Sequence, residues 1–131
     1  MDERTEVGEQ QLRQMADSMR AVRRQILRAW NGVRQVAIEA ADDAQSPAGR
    51  DAVDTISQLV TADLDRRMTL CLELLVQARN VYDHLTQPLA PENAVKLRRE
   101  FYLRLHDARR LAGEIEREAE EAKTTLRRWL G

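Results

Sequence analysis

The chain has 131 residues, of which 33% are charged and only 4% aromatic, and its formal net charge is −1. Because the charge is close to neutral, the protein has no overall field that would attract nucleic acid or an anionic membrane surface, which argues against both as general partners. The length suits one domain, and we predict a single helical domain over residues 1–131, with residues 1–8 as a frayed amino terminus.

The signals for cellular location are few. The acidic segment from Met1 to Glu6 has no apolar segment behind it, so we predict that no signal peptide directs secretion. No apolar run approaches the length of a membrane-spanning helix. Cys71 is the single cysteine, which excludes an intrachain disulfide. We therefore expect a cytoplasmic protein, with the nucleus as the alternative, in which Cys71 is a buried, inert thiol.

Hydrophobic periodicity predicts a first helix over about residues 9–43. Its apolar residues recur at alternating steps of three and four, which is the spacing of a helix buried along one seam. Gly32 either allows close packing or breaks this helix, and a break would give four helices instead of three. The seam comprises Leu12, Met15, Met19, Val22, Ile26, Ala29, Val33, Val36 and Ala40.

A second helix is predicted over about residues 50–86. The preceding segment Ser46–Gly49 predicts a turn, because proline disfavours a continuing helix and glycine permits a positive φ. Asp51 and Asp54 then lie in the first helical turn, where carboxylates complement the helix dipole. The seam comprises Val53, Ile56, Val60, Leu64, Met68, Cys71, Leu74, Leu75, Ala78, Val81, Tyr82 and Leu85.

A third helix is predicted over about residues 92–130, after a reversal that Pro88 and Pro91 enforce. Short connections between long amphipathic helices favour antiparallel neighbours. We predict an all-α fold, an elongated antiparallel three-helix bundle with coiled-coil-like packing; a homodimer that exchanges or pairs helices is the alternative. The third seam comprises Ala94, Leu97, Phe101, Leu105, Ala108, Ala112, Ile115, Ala119, Ala122, Leu126 and Trp129.

No motif in the chain indicates catalysis. The two histidines, His84 and His106, each follow or precede an aspartate, but successive residues of a helix do not point together. The Cys/His spacing of a metal site and the glycine-rich loop of a phosphate site are both missing. We predict no enzyme activity, no metal and no cofactor. Because the seams use the apolar residues, we also expect no concave site.

Two charged surfaces are possible contact sites. An arginine ridge on the first helix could bind phosphates, although no aromatic side chains accompany it for base stacking. The ridge comprises Arg13, Arg20, Arg23, Arg24 and Arg28. An acidic run on the third helix could instead face a basic partner. The acidic run comprises Glu114, Glu116, Glu118, Glu120 and Glu121.

The hairpin of the second and third helices carries a further set of polar residues. Its turn centres near residue 90, so residues whose numbers sum to about 180 lie level across it. Glu73 is then level with His106, and Asp83 is level with Arg98. None of the four belongs to a seam. This polar strip, Glu73, Asp83, Arg98 and His106, is of a kind that forms directed salt bridges with a protein partner.

From Leu64 to His106 the chain resembles the BAG domain, the nucleotide-exchange module that binds seventy-kilodalton heat-shock chaperones. That family is a three-helix bundle, which presents a glutamate, an aspartate, an arginine and a glutamine to the chaperone ATPase domain. The resemblance assigns the first three roles to Glu73, Asp83 and Arg98, and places His106 where the glutamine would be. It departs from the family at Arg79, where the family has an apolar residue.

Another, shorter resemblance lies in the first helix. Trp30-Asn31-Gly32 is similar to the Trp-x-Gly tripeptide of the small helical-hairpin substrates of type VII secretion. In that family the tripeptide lies in a turn between two helices. Here the apolar seam continues beyond it, through Val33 and Val36.

The leading hypothesis is a non-enzymatic helical interaction protein, an adaptor or a small subunit of a larger assembly, that binds a protein partner through exposed helix faces. Tyr102, Trp129 and the surface arginines are the candidate anchors. A BAG-like co-chaperone that binds a heat-shock chaperone is the first alternative. Nucleic-acid binding through the arginine ridge is the second, and we expect a protein partner ahead of nucleic acid.

Overall fold

The computed structural model describes residues 8–128, which form three α-helices: α1 (Glu9–Asp43), α2 (Pro47–Leu85) and α3 (Pro91–Arg127). Within this range no residue lies in a strand, and the predicted all-α three-helix fold is confirmed. The end of α2 and the start of α3 fall within one residue of their predicted positions. The predicted frayed segment up to Val7, the seam residue Trp129 and the predicted end of the third helix lie outside the described residues.

The core of the bundle is drawn from the predicted seams, several of whose residues are half-buried. Every buried apolar residue of the described chain belongs to one of them, and no described polar or charged residue is buried. The largest fully buried side chains come from all three helices: Met15 and Ile26 of α1, Leu64 and Leu85 of α2, and Phe101, Leu105, Ile115 and Leu126 of α3. Alternating steps of three and four therefore located the core residues correctly, while the coiled-coil character of their packing stays a prediction.

The start of α2 differs from the prediction because Ser46–Gly49 is a helix cap and first turn. The Ser46 hydroxyl accepts a hydrogen bond from the Gly49 N–H at 3.0 Å, as an N-cap serine does. Pro47 takes the first helical position, where a missing N–H costs nothing. No described glycine has a positive φ, so the predicted turn conformation of Gly49 is wrong. The first turn also contains no acidic residue, so Asp51 and Asp54 lie beyond it.

The residues group into two compact units, to each of which all three helices contribute. Of the described residues, the first unit comprises residues 8–24 and Leu70–Arg110. In it the Cys71 thiol donates a hydrogen bond to the Ala108 carbonyl oxygen at 3.4 Å. Because a short turn also joins α2 to α3 at residues 86–90, these two helix segments run antiparallel. The single-domain assignment stays a prediction.

The second unit comprises Gln25–Thr69 and, among the described residues of α3 and its end, residues 111–128. Here an arginine of α2 bridges two carboxylates of α3. The Arg67 guanidinium lies 3.0 Å from Glu114 Oε2 and 2.8 Å from Glu118 Oε1, and all three side chains are largely shielded from water. Charge-assisted hydrogen bonds of this length fix the register between α2 and α3 in this unit. Two members of the predicted acidic run are thus engaged within the chain.

Gly32 lies inside an unbroken α1, so the four-helix alternative is wrong. The Trp30–Gly32 tripeptide consequently lies within a helix and not in a turn. A Cβ atom at Gly32 would lie 3.3 Å from Lys123 Nζ and 3.6 Å from its Cε. The Lys123 side chain is only 18% exposed, and its Nζ contacts Glu120 Oε1 at 2.6 Å. Gly32 therefore leaves room for a lysine of α3 within the second unit.

We expect Gly32→Ala to raise the free energy of unfolding by up to about 1 kcal/mol, which is the helix-propensity gain of alanine over glycine. The new methyl group would meet the flexible end of Lys123, which can shift by a few tenths of an ångström. Gly113→Ala is the matched control, because nothing lies within 4 Å of a Cβ at Gly113. Urea denaturation followed by circular dichroism measures both. A loss of stability in Gly32→Ala alone would mean that Lys123 cannot move.

Candidate functional site

The predicted polar strip lies outside the core of the first unit. Glu73, Asp83 and His106 are exposed, and Arg98 is half-buried. Glu73 and Asp83 are ten residues apart on α2, which turns them about 80° from each other around the helix axis. The strip is therefore spread around two helices and does not form a single row.

Neither pair of the strip is joined directly. Among the described residues no hydrogen bond or ion pair links Asp83 to Arg98 or Glu73 to His106. The Asp83 carboxylate instead accepts a hydrogen bond from Nε of Arg79, one helical turn before it, at 3.1 Å. The structure thus places Asp83 beside Arg79, which is the residue at which the chain departs from the BAG pattern.

Arg79 also lines a groove between α1 and α2 in the first unit. This α1–α2 groove has a volume of about 440 Å³. Spacings of four, three and four residues put Leu72, Val76, Arg79 and Asp83 on one stripe of α2, so Asp83 continues the stripe that lines the groove. The expectation that no concave site exists is therefore wrong.

The floor of the groove is apolar. Met19 of α1 and Leu75 of α2 lie at its bottom and are 9% and 8% exposed, and Ala16 lies beside them. Leu72 and Val76 form the α2 wall and are 37% and 59% exposed. The core leaves these two side chains in contact with water, although they are apolar.

The α2 rim of the groove holds an arginine in a fixed position. The guanidinium carbon of Arg79 lies 5.8 Å from the centre of the Tyr82 ring, within the range of a cation–π contact. With the Asp83 hydrogen bond, this contact constrains the Arg79 side chain from two directions. Because the Arg79–Asp83 ion pair is exposed, it adds little to the free energy of unfolding. Its main effect is on the position of the Arg79 guanidinium at the rim of the groove.

The α1 rim carries two arginines of the predicted ridge. Nη1 of Arg20 contacts Asp17 Oδ1 at 2.9 Å. Arg23 lines the groove as well, and no described carboxylate forms an ion pair with it. With Arg79, three guanidinium groups line the groove, and no carboxylate does. The groove therefore has an apolar floor and a rim of three arginines, two of which are paired with Asp17 and Asp83.

The described residues contain no group of three histidine, cysteine or acidic side chains placed to hold a metal ion. Nδ1 of His84 lies 2.8 Å from the carbonyl oxygen of Asn80, so this nitrogen carries the proton and donates it. None of the described helices contains an apolar stretch of the length that crossing a membrane requires.

Sequence reasoning missed the wall residues Leu72 and Val76. Both are apolar residues of α2 that the predicted seam leaves out, and they are four residues apart, as neighbours on one helix face are. Their spacing to Arg79 is the signal that could have marked an amphipathic stripe beside the core. The sequence does reveal the arginine ridge, because it lies on one helix. Its position beside an apolar floor depends on the packing of α1 against α2, which the sequence does not show.

Comparison with known proteins gave no relative: no protein-family model matches the chain, and neither does any curated protein or solved structure.

Proposed function

We propose that the protein is a non-enzymatic helical interaction protein that binds a protein partner through exposed helix faces, as an adaptor or as a small subunit of a larger assembly. The observation that carries this proposal is the α1–α2 groove. It combines uncovered aliphatic side chains with three arginines, and arginine is one of the residues enriched where proteins bind each other.

Exposed apolar side chains on α3 support the same proposal. On α3 of the first unit, Val95, Tyr102 and Leu103 are 49%, 45% and 55% exposed. The ring of Tyr102 stands edge-on to the buried ring of Phe101, with centroids 5.3 Å apart. An exposed tyrosine that is braced by a core residue is suited to anchor a partner, since little side-chain freedom is lost on binding.

Site-specific photocrosslinking in the cells that make this protein tests the proposal. A photoreactive amino acid at Val76 or Leu103 should crosslink to another protein, because both side chains are exposed and apolar. The same amino acid at Gln77, which is exposed but polar and turned away from Val76, is the control. Absence of a crosslinked protein at both Val76 and Leu103 would contradict the proposed function.

A co-chaperone function is the second candidate, and the resemblance to the BAG domain supports it. The three-helix fold is that family's fold, and Glu73, Asp83 and His106 are exposed as its contact residues must be. Calorimetric titration with a heat-shock chaperone ATPase domain, with and without nucleotide, tests it. Arg98→Ala should weaken binding by about 1.5–3 kcal/mol, the scale of a charged hydrogen bond. Unchanged binding in that variant would remove the role of Arg98.

A further inference from the structure

The geometry points to a specific class of occupant for the α1–α2 groove: an acidic amphipathic helix of a partner protein. Its apolar side chains would lie on the floor, and its carboxylates would meet the arginine rim. This inference rests on the proposed function and names the kind of partner that one of its surfaces takes. It follows from the dimensions of the groove, from its exposed apolar wall and from its charge.

The dimensions of the groove match a short helical segment. Its lining runs from Ala16 to Arg23 on α1 and from Leu72 to Arg79 on α2, seven residue steps on each side. At 1.5 Å per residue each wall is about 10 Å long, which is close to two turns of an incoming helix. Two turns present apolar side chains at positions i, i+3 or i+4, and i+7, the anchors by which amphipathic helices bind hydrophobic grooves.

The exposure of the wall favours a helix over a single acyl chain. Val76 is 59% exposed although it lines the groove, so the groove is open towards solvent. A lipid chain lying on the floor would leave much of its own surface and of Val76 in water. A helix is about 10 Å in diameter and can cover both walls together.

The charge of the rim favours an acidic protein segment. Arg20 and Arg79 are held by exposed aspartates, and Arg23 is available for a carboxylate of the partner. Nucleic acid would match the arginines but would leave the aliphatic floor uncovered, and no aromatic side chain lines the groove for stacking.

The described part of this chain does not itself supply such a helix. The acidic run of α3 is its most negative segment, but the apolar residues within that run are buried in the second unit. Ile115 and Ala119 are 0% and 1% exposed. A second copy of the chain would therefore present carboxylates without apolar anchors, which leaves another protein as the source of the helix.

A synthetic peptide tests the assignment with the full-length protein. The probe is a fluorescent helical peptide of about 15 residues, with leucine at i, i+4, i+7 and i+11 and glutamate at the flanking positions. A control peptide keeps the leucines and replaces every glutamate by lysine. Fluorescence anisotropy should show binding of the glutamate peptide at least about tenfold tighter than of the lysine peptide, with a difference that shrinks as salt is added. Equal affinities, or no binding of either peptide, would overturn the assignment.

Paired variants locate the binding site. Val76→Asp and Arg23→Glu should each weaken binding of the glutamate peptide by at least about tenfold, because the first puts a charge on the wall and the second reverses the rim. Ile38→Asp and Arg109→Glu make the same changes at exposed positions outside the groove and should leave affinity unchanged. Circular dichroism checks that all four variants remain helical. Equal effects of the paired variants would mean that the peptide binds elsewhere.

Two other occupants of the groove, a lipid chain and a second copy of this chain, are each tested by a separate measurement. Displacement of the glutamate peptide by micromolar dodecanoate would assign the groove to a lipid chain. Self-association of the wild-type chain in sedimentation velocity, abolished by Val76→Asp and retained in Ile38→Asp, would assign the groove to a second copy. Either result would overturn the acidic helix as occupant. Crosslinks that persist at Leu103 while the peptide fails would overturn only the groove assignment, whereas loss of crosslinks at both positions would overturn the proposed function.

Discussion

Phe101→Ala is expected to lower the free energy of unfolding by about 3–5 kcal/mol, the range for deletion of a fully buried phenylalanine ring. Phe101 is 0% exposed and is the largest fully buried side chain among residues 8–128. The substitution removes apolar contacts, leaves a cavity and deprives Tyr102 of the ring against which it stands. Since small domains have only about 5–15 kcal/mol of net stability, the variant should unfold at much lower urea concentrations.

Leu103→Ala is the matched control for this prediction. Leu103 is two residues further along α3 and is 55% exposed, so its truncation should change the free energy of unfolding by at most about 0.5 kcal/mol. Urea titrations followed by circular dichroism at 222 nm measure both variants. Similar losses in the two variants would mean that the register of α3 in the first unit is different from the one described.

The helices and their buried faces could be predicted from the sequence because both follow from local periodicity. A residue such as Leu105 is buried since it falls on the same side of α3 as Phe101 and Ala108, and that side is set by 3.6 residues per turn. No knowledge of the neighbouring helix is needed for this step. Periodicity alone does not show which edge of the buried side of α3 faces α1 and which edge faces α2.

The prediction of a turn at the start of α2 is wrong because proline and glycine each have two roles. Pro47 can end a helix or occupy its first position, and Gly49 can take a positive φ or an ordinary helical one. The serine before the proline decides between them, since its hydroxyl can cap the helix. Ser46 bonds to the Gly49 N–H, and the segment is therefore the beginning of α2.

The candidate site was less predictable than the fold, because it depends on pairs of helices. The arginine ridge and the apolar residues Leu72 and Val76 are far apart in the sequence, and only the packing of α1 against α2 makes them one groove. The sequence singles out Asp83 by its level with Arg98 in the predicted hairpin and by its place in the resemblance to the BAG domain. Its hydrogen bond to Arg79 shows that it also borders the groove, so a single carboxylate contributes to both candidate surfaces.

Native Cys71 is expected to react with a disulfide reagent at pH 8 about a hundredfold more slowly than the same thiol in the urea-unfolded chain. Cys71 is 0% exposed, and burial raises the pKa of its thiol from 9.0 to about 11. Only the thiolate is nucleophilic, and a pKa difference of two units reduces the thiolate fraction by about a hundredfold. Because the chain has a single cysteine, the coloured thiolate that the disulfide reagent releases reports on this residue alone.

The raised pKa of Cys71 also predicts how the free energy of unfolding depends on pH. Because the folded state holds the proton of Cys71 more tightly, its contribution to stability is complete below pH 9 and is lost as the pH rises towards about 11. Subtracting the pH profile of Cys71→Ala isolates this contribution from the titration of lysine and tyrosine. The difference between the two profiles should be flat up to pH 9 and should then fall. A flat difference throughout, together with rapid labelling of the native thiol, would show that the interior of the first unit is open to water at the contact between Cys71 and Ala108.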